Sequence, residues 1–210
     1  MSVLHAQLKN AAVGVGIADT PDDLSVIHKP GCAAAIWRRQ PPVGFRNWIN
    51  GLDPQQLPRA RLLLHPDTVP EAIAQWCDSS NLDHSEERNW LEADVAELAK
   101  QFTALMDAPY LRLRMDVINT NACRKFHIDA IHARLICTYS GTGTQYGIST
   151  NGDEPTRVFT VPTGAPMILR GTLWPADPPA GLLHRSPPIA GTGETRLVLV
   201  IDPLWSIDDE

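Results

Sequence analysis

His127-Ile128-Asp129, followed by His184, is the set of residues in this chain best suited to chemistry. Residues two apart on a β-strand share a face, so His127 and Asp129 can point into one space. Two imidazoles and one carboxylate on one side of a cation form the facial triad that holds non-haem Fe(II) and leaves positions open for oxygen and an organic co-substrate. The triplet alone is weak, because roughly 0.5 His-x-Asp triplets are expected by chance in a chain of this composition. A second one, His65-Pro66-Asp67, acts as a control. Pro66 disfavours a central strand there, and Thr68 with Glu71 has capping-box spacing. We read His65 and Asp67 as structural punctuation beside a helix start.

Ligand type does not choose the metal: imidazole and carboxylate suit Fe, Mn, Zn, Ni or Cu. His132 competes as an extra ligand. It lies five positions from His127, an odd offset that turns it to the other face of a regular strand, unless a turn at Ala130-Ile131 intervenes. Cys123 stands four before His127, but no second such pair exists to close a structural zinc site. His5, His28 and His84 have no partners in sequence and read as surface histidines.

Arg196 shares a face with Val198 and Val200. An arginine on an inward apolar face is costly unless it meets an anion, and a guanidinium suits a carboxylate held by two parallel hydrogen bonds. The alternative is that Arg196 faces solvent while Leu197, Leu199 and Ile201 face the core. Tyr139 also has two readings, a hydroxyl donor to a co-substrate or an interior aromatic with a satisfied hydroxyl.

The elements that must position these residues follow from periodicity. The 210 residues are 43% hydrophobic, enough for one substantial core. Residues 1–30 show no strong period. Ala33 to Arg39 reads as a strand, and Phe45 to Ile49 as one short helical turn. Thr68-x-x-Glu71 opens a helix with Pro70 in its first turn. Asp83-x-x-Glu86 opens a longer one, with Leu91, Val95, Leu98, Phe102 and Leu105 on one face and an end near Pro109. From Tyr110 the period becomes two: Leu111, Leu113, Met115 and Val117 alternate with Arg112, Arg114 and Asp116. Short strands follow at Ala133–Tyr139, Arg157–Val161, Ala165–Arg170 and Thr195–Asp202, separated by Gly, Pro and Thr clusters. The predicted class is α+β. Residues 1–109 form a mainly helical layer packed on a jelly-roll, cupin-like double-stranded β-helix over 110–210, in one compact domain.

Net charge is −6 with no Lys/Arg run, which argues against a nucleic-acid partner. No apolar run reaches membrane-spanning length and no secretory leader pattern is visible, so a cytoplasmic protein is expected. Cys32, Cys77, Cys123 and Cys137 are spread out and read as reduced thiols. There is no Gly-x-Ser-x-Gly elbow and no phosphate-binding glycine loop.

The ordered set resembles the 2-oxoglutarate/Fe(II)-dependent dioxygenase superfamily, prolyl-hydroxylase-like in layout. His127-Ile128-Asp129 is similar to its first two ligands, and Leu135–Tyr139 to the strand after them. Val161-Pro162-Thr163-Gly164-Ala165 is similar to its proline-glycine-strand element, His184-Arg185-Ser186-Pro187 to its distal histidine, and Gly193-Glu194-Thr195-Arg196-Leu197 to its basic residue for 2-oxoglutarate. The resemblance spans about residues 110–203. The whole chain is also similar to an uncharacterised bacterial family, domain of unknown function 1826, which names no substrate. The Pro-rich excursion Gly171–Ala180 departs from the superfamily pattern.

The resemblance implies Fe(II), with Zn or Mn as substitutes, and 2-oxoglutarate held by Arg196 with Tyr139 as a further contact. It implies oxidative decarboxylation of 2-oxoglutarate coupled to oxidation of a substrate C–H bond. Arg170 and Trp174 are candidate substrate contacts, and no catalytic group is assigned beyond the ligands. The substrate, small molecule or peptide, is not specified, nor is a monomer or a homodimer. A second class stays open: a non-catalytic, cupin-like metal-binding protein, zinc-handling for example.

Overall fold

The computed structural model describes residues 11–149, 154–175 and 177–207. The first strands are β1 (Gly14–Ala18) and β2 (Cys32–Trp37), with a 3-10 helix, Asp22–His28, between them. Helix α1 (Val43–Gly51), strand β3 (Ala60–Leu64), a 3-10 turn Pro66–Thr68, and helices α2 (Val69–Ser79) and α3 (Glu86–Met106) follow. The remaining strands are β4 (Tyr110–Ile118), β5 (Ala133–Ser140), β6 (Gln145–Ile148), β7 (Phe159–Thr160), β8 (Met167–Arg170), β9 (Leu182–Arg185) and β10 (Arg196–Leu204).

A side-chain cap satisfies a free N–H at the start of α3. Ser85, rather than Asp83, caps α3: its Oγ accepts from the Arg88 N–H at 3.1 Å, and Asp83 lies too far upstream to do so. Thr68 does not cap α2 either, since its hydroxyl donates to the His65 carbonyl at 2.8 Å. His65 Nδ1 accepts from the Asp67 N–H at 3.3 Å, so that His-x-Asp triplet serves a turn. The segment at Phe45 to Ile49 extends to the nine residues of α1.

Seven strands form a large sheet in the order β1-β2-β8-β5-β10-β4-β3, and three form a small sheet, β7-β6-β9. The N-terminal region is therefore not only helical, because β1, β2 and β3 all join the large sheet. Their signals are weak for physical reasons. Strand β2, Cys32–Trp37, is apolar throughout because both faces are covered. In β1, Gly16 passes so close to Val26 that a Cβ would meet its Cγ1 at 2.4 Å, and glycines hide any period. Strand β3 is a short, half-exposed edge. The turn at 108–110 leads from α3 into β4, a strand of the sheet that β1, β2 and β3 also join.

Each face of the large sheet has its own apolar cluster. Leu111, Leu113, Met115, Leu135, Leu197, Leu199 and Ile201 pack against Leu91, Val95, Leu98 and Phe102 of α3. Met106 is buried at the C-terminal end of that stripe, where Leu105 is only partly covered. On the opposite face Ile136, Met167, Leu169, Val198 and Val200 cluster with Val161, Leu182 and Tyr146. All nine residues of β10 are buried, and alternation sends Arg196, Val198, Val200 and Asp202 to this second face.

Candidate metal centre

The segment before β5 pairs with β9 of the small sheet through one isolated bridge. His127 and His184 form an isolated antiparallel bridge in which each N–H donates to the other's carbonyl at 3.0 Å. Directly opposed residues of an antiparallel pair present their side chains to the same face. The two imidazole centroids lie 4.5 Å apart. The expected strand around His127 is reduced to this bridge, but Asp129 still reaches the same side. His184 Nε2 lies 3.1 Å from one Asp129 carboxylate oxygen and His127 Nε2 lies 3.5 Å from the other. One donor atom from each of the three residues lies within 4.8 Å of the others.

The protonation states suit a cation. His127 Nδ1 is 2.8 Å from the Lys125 carbonyl. A carbonyl only accepts, so Nδ1 carries a proton and Nε2 is the ring nitrogen that faces the site. Burial lowers the His184 pKa against the opposing pull of Asp129, which keeps the imidazole neutral at pH 7. Burial pushes the Asp129 carboxyl up, but the hydrogen bond with His184 and the charges of Arg134, His184 and His127 outweigh it and hold the group at about 2. Neutral imidazoles and an ionised carboxylate are the ligand forms a divalent metal requires. The three residues can therefore hold a metal ion.

Behind Asp129 stands a residue that sequence reasoning missed. Arg134 donates to Asp129 at 2.8 Å and makes two parallel bonds to Asp202 at 2.6 and 2.8 Å. Asp202 is buried at the far end of β10. The signal was present: Arg134 begins the inward alternation of Ile136 and Thr138, and Asp202 ends that of Arg196, Val198 and Val200.

His127 and His184 open onto a cavity of about 190 Å³. Its wall includes Ile136, Val198, Val200, Ile118, Thr144, Arg114, Arg134 and Arg196. Arg196 is 1% exposed. Its Nε donates to the Thr142 carbonyl at 2.6 Å and one Nη to the Thr138 hydroxyl at 3.4 Å. Among the described residues no carboxylate lies within ion-pair distance of it, and burial pulls its pKa down to about 10 despite the nearby Glu194. Of its two readings from sequence, the inward one holds.

Other candidates fall elsewhere. Tyr139 points to the opposite face of the sheet, where its hydroxyl donates to Asp94 at 2.6 Å beside Arg39. Odd positions of β5 face the helices, which removes Tyr139 from the cavity. Arg170, at the other parity from Met167 and Leu169, also turns away: it donates to the Ile27 and Lys29 carbonyls and stacks on Trp174 at 4.6 Å. Trp174 packs there against His28, ring centroids 5.4 Å apart, so neither residue is at the cavity mouth. His132 sits against the Trp205 ring at 4.6 Å, outside the donor cluster. Cys123 borders the cavity but gives no donor to the cluster. His28 and His84 are exposed, and His5 lies outside the described residues.

Solved structures share this fold. One is the rice dioxygenase for auxin oxidation, with TM-score 0.53 and 12% identity over 94% of this chain and 84% of that one. Another is dioxygenase for auxin oxidation 1 from Arabidopsis thaliana in a binary complex with 2-oxoglutarate, with TM-score 0.51 and 10% identity over 94% of each chain. At such identities the likeness is one of fold. No curated protein matches the chain in sequence. The family model described as "Protein of unknown function (DUF1826)" matches residues 18–202, and the chain belongs to that family. No helix among the described residues is long and apolar enough to cross a membrane.

Proposed function

We propose that this protein is an Fe(II)- and 2-oxoglutarate-dependent oxygenase, built on a jelly-roll barrel formed by the two sheets. His127, Asp129 and His184 would hold the metal, and Arg196 the distal carboxylate of the co-substrate. One observation carries the reading: His127 and His184 of a His-Asp-His donor set line the same cavity as a buried guanidinium that has no carboxylate partner among the described residues. The likeness in fold to a dioxygenase described in complex with 2-oxoglutarate supports it.

When bound, Fe(II) would supply the O2 chemistry that no side chain can perform. The chain's own residues do the positioning. The Lys125 carbonyl fixes the His127 tautomer. Arg134 orients Asp129 while staying neutralised by Asp202. Ile118, Ile136, Val198 and Val200 give the cavity an apolar wall, which strengthens the attraction between Arg196 and an anion. Arg196 approaches through a planar fork suited to a carboxylate.

Anaerobic Fe(II) and 2-oxoglutarate should together give wild type a weak visible charge-transfer band that neither gives alone. His127→Ala should abolish it. Metal binding without the band, with Zn(II) displacing Fe(II), would replace this reading with a non-catalytic metal-binding role.

A further inference from the structure

The cavity holds more cationic charge than the donor set and one co-substrate account for. Arg134 is matched by Asp129 and Asp202. Arg185 donates to Gln145 at 2.8 Å and lies over the Phe126 ring. Arg196 is the deepest guanidinium and is assigned to the co-substrate. Arg114 remains. It projects from β4 to the cavity face, opposite Val200, and borders the cavity. Its Nε is buried and has no hydrogen-bond partner among the described residues. Asp116 also borders the cavity, but its ion pair with Arg114 is long, 3.9 Å, and its side chain is 40% exposed. On its other side Arg61 of β3 stands directly opposite Arg114, so two like charges face each other across the ladder. Like charges directly opposed are destabilising, and an anion received between them would relieve the repulsion.

We infer that the molecule oxidised in this cavity is a small aliphatic carboxylate whose anionic group is received by Arg114, with Arg61 at the rim. The inference rests on the oxygenase reading of the site. Burial orders the guanidinia: Arg196 is 1% exposed, the Arg114 side chain 24%, and Arg61 lies on the surface. The co-substrate thus takes the inner arginine and the substrate the outer one. The aliphatic wall of Ile118, Ile136, Val198 and Val200 favours a hydrocarbon chain, and about 190 Å³ limits its size. Arg114 is a specificity-determining residue in this scheme.

The test is calorimetric titration of acetate, butyrate, hexanoate and the uncharged hexanamide into the full chain. It is run with Mn(II) and 2-oxoglutarate present, and again without them. Losing a charge-assisted hydrogen bond corresponds to roughly tenfold in affinity or more. Wild type should therefore hold at least one acid about tenfold more tightly than hexanamide. Arg114→Gln should erase that preference while changing 2-oxoglutarate affinity less than about twofold, and Arg61→Gln should weaken it. The inference is overturned if no acid binds wild type, if the preference survives in Arg114→Gln, or if the acids displace 2-oxoglutarate one for one. Should Arg114→Gln fail to fold, an unchanged preference in Arg61→Gln, a surface variant, overturns it as well. Acid preference at Arg114 without any 2-oxoglutarate binding would sink the oxygenase reading and leave the Arg114 assignment standing.

Discussion

His127 and His184 are 57 positions apart in the chain, yet they hold each other by two backbone hydrogen bonds of 3.0 Å. Main-chain pairing thus brings both imidazoles to one face. His127→Ala and His184→Ala keep that pairing and should fold with near wild-type circular dichroism. Each removes a direct donor, so the loss in Mn(II) or Zn(II) affinity should exceed the roughly 10–100-fold typical of outer-shell partners. Calorimetric metal titration checks this, and near-normal affinity in either variant would remove that histidine from the site.

Arg134 joins Asp129 to the buried Asp202. Arg134→Ala strands the Asp202 charge and should destabilise the protein by about 3–5 kcal/mol. It should also weaken metal binding about 10–100-fold, because Asp129 loses the partner that aims it. Arg134→Met combined with Asp202→Leu removes both charges and should recover stability in urea denaturation without recovering metal affinity. Recovery of both would show that Arg134 does not orient Asp129.

The Asp129 carboxyl is depressed from 3.8 to about 2. A carboxyl with a lowered folded-state pKa stabilises the fold above its unfolded value, and the benefit is lost as pH falls through the folded one. Metal-free wild type should therefore lose about 2 kcal/mol between pH 4 and pH 2 through this group. Asp129→Asn should lose correspondingly less over the same window. Denaturation curves collected across it measure the difference, and parallel losses in the two proteins would contradict the assignment.

Tyr139 and Arg196 are both buried and lie on opposite faces of the large sheet. Tyr139→Phe removes a hydrogen bond to Asp94, the ion-pair partner of Arg39, and should cost about 1.5–3 kcal/mol of stability with 2-oxoglutarate affinity intact. In wild type, 2-oxoglutarate at 100 times its Kd should stabilise the metal-loaded protein by about 2.7 kcal/mol. Arg196→Met should abolish that stabilisation, and Arg196→Lys should retain only part of it, since an ammonium lacks the planar fork. Thermal melts with and without 2-oxoglutarate separate these outcomes.

Much of this was legible in the chain. The period change at Tyr110 marks β4, and the ordered His127, Asp129, His184 and Arg196 name the residues that the fold gathers around one cavity. The hydrophobic face of α3 is plain in its spacing. Other features left little trace. Strand β1 is masked by its glycines, of which Gly16 is required for close packing on Val26, and β3 is too short and exposed to show alternation. Tyr139, Arg170 and Trp174 were assigned by nearness along the chain, whereas the parity of their strands and the packing of the 3-10 helix Asp22–His28 turned them away. Arg134 and Asp202 looked like the ends of two unrelated strands until β5 and β10 paired.

The sequence by itself determined which side chains share a face, because alternation within a strand is a local property of the backbone. Only the tertiary structure decided which faces meet. Pairing of β5 with β10, and of His127 with His184, depends on hydrogen bonds and apolar burial between segments far apart in the chain, and no local period encodes a partner.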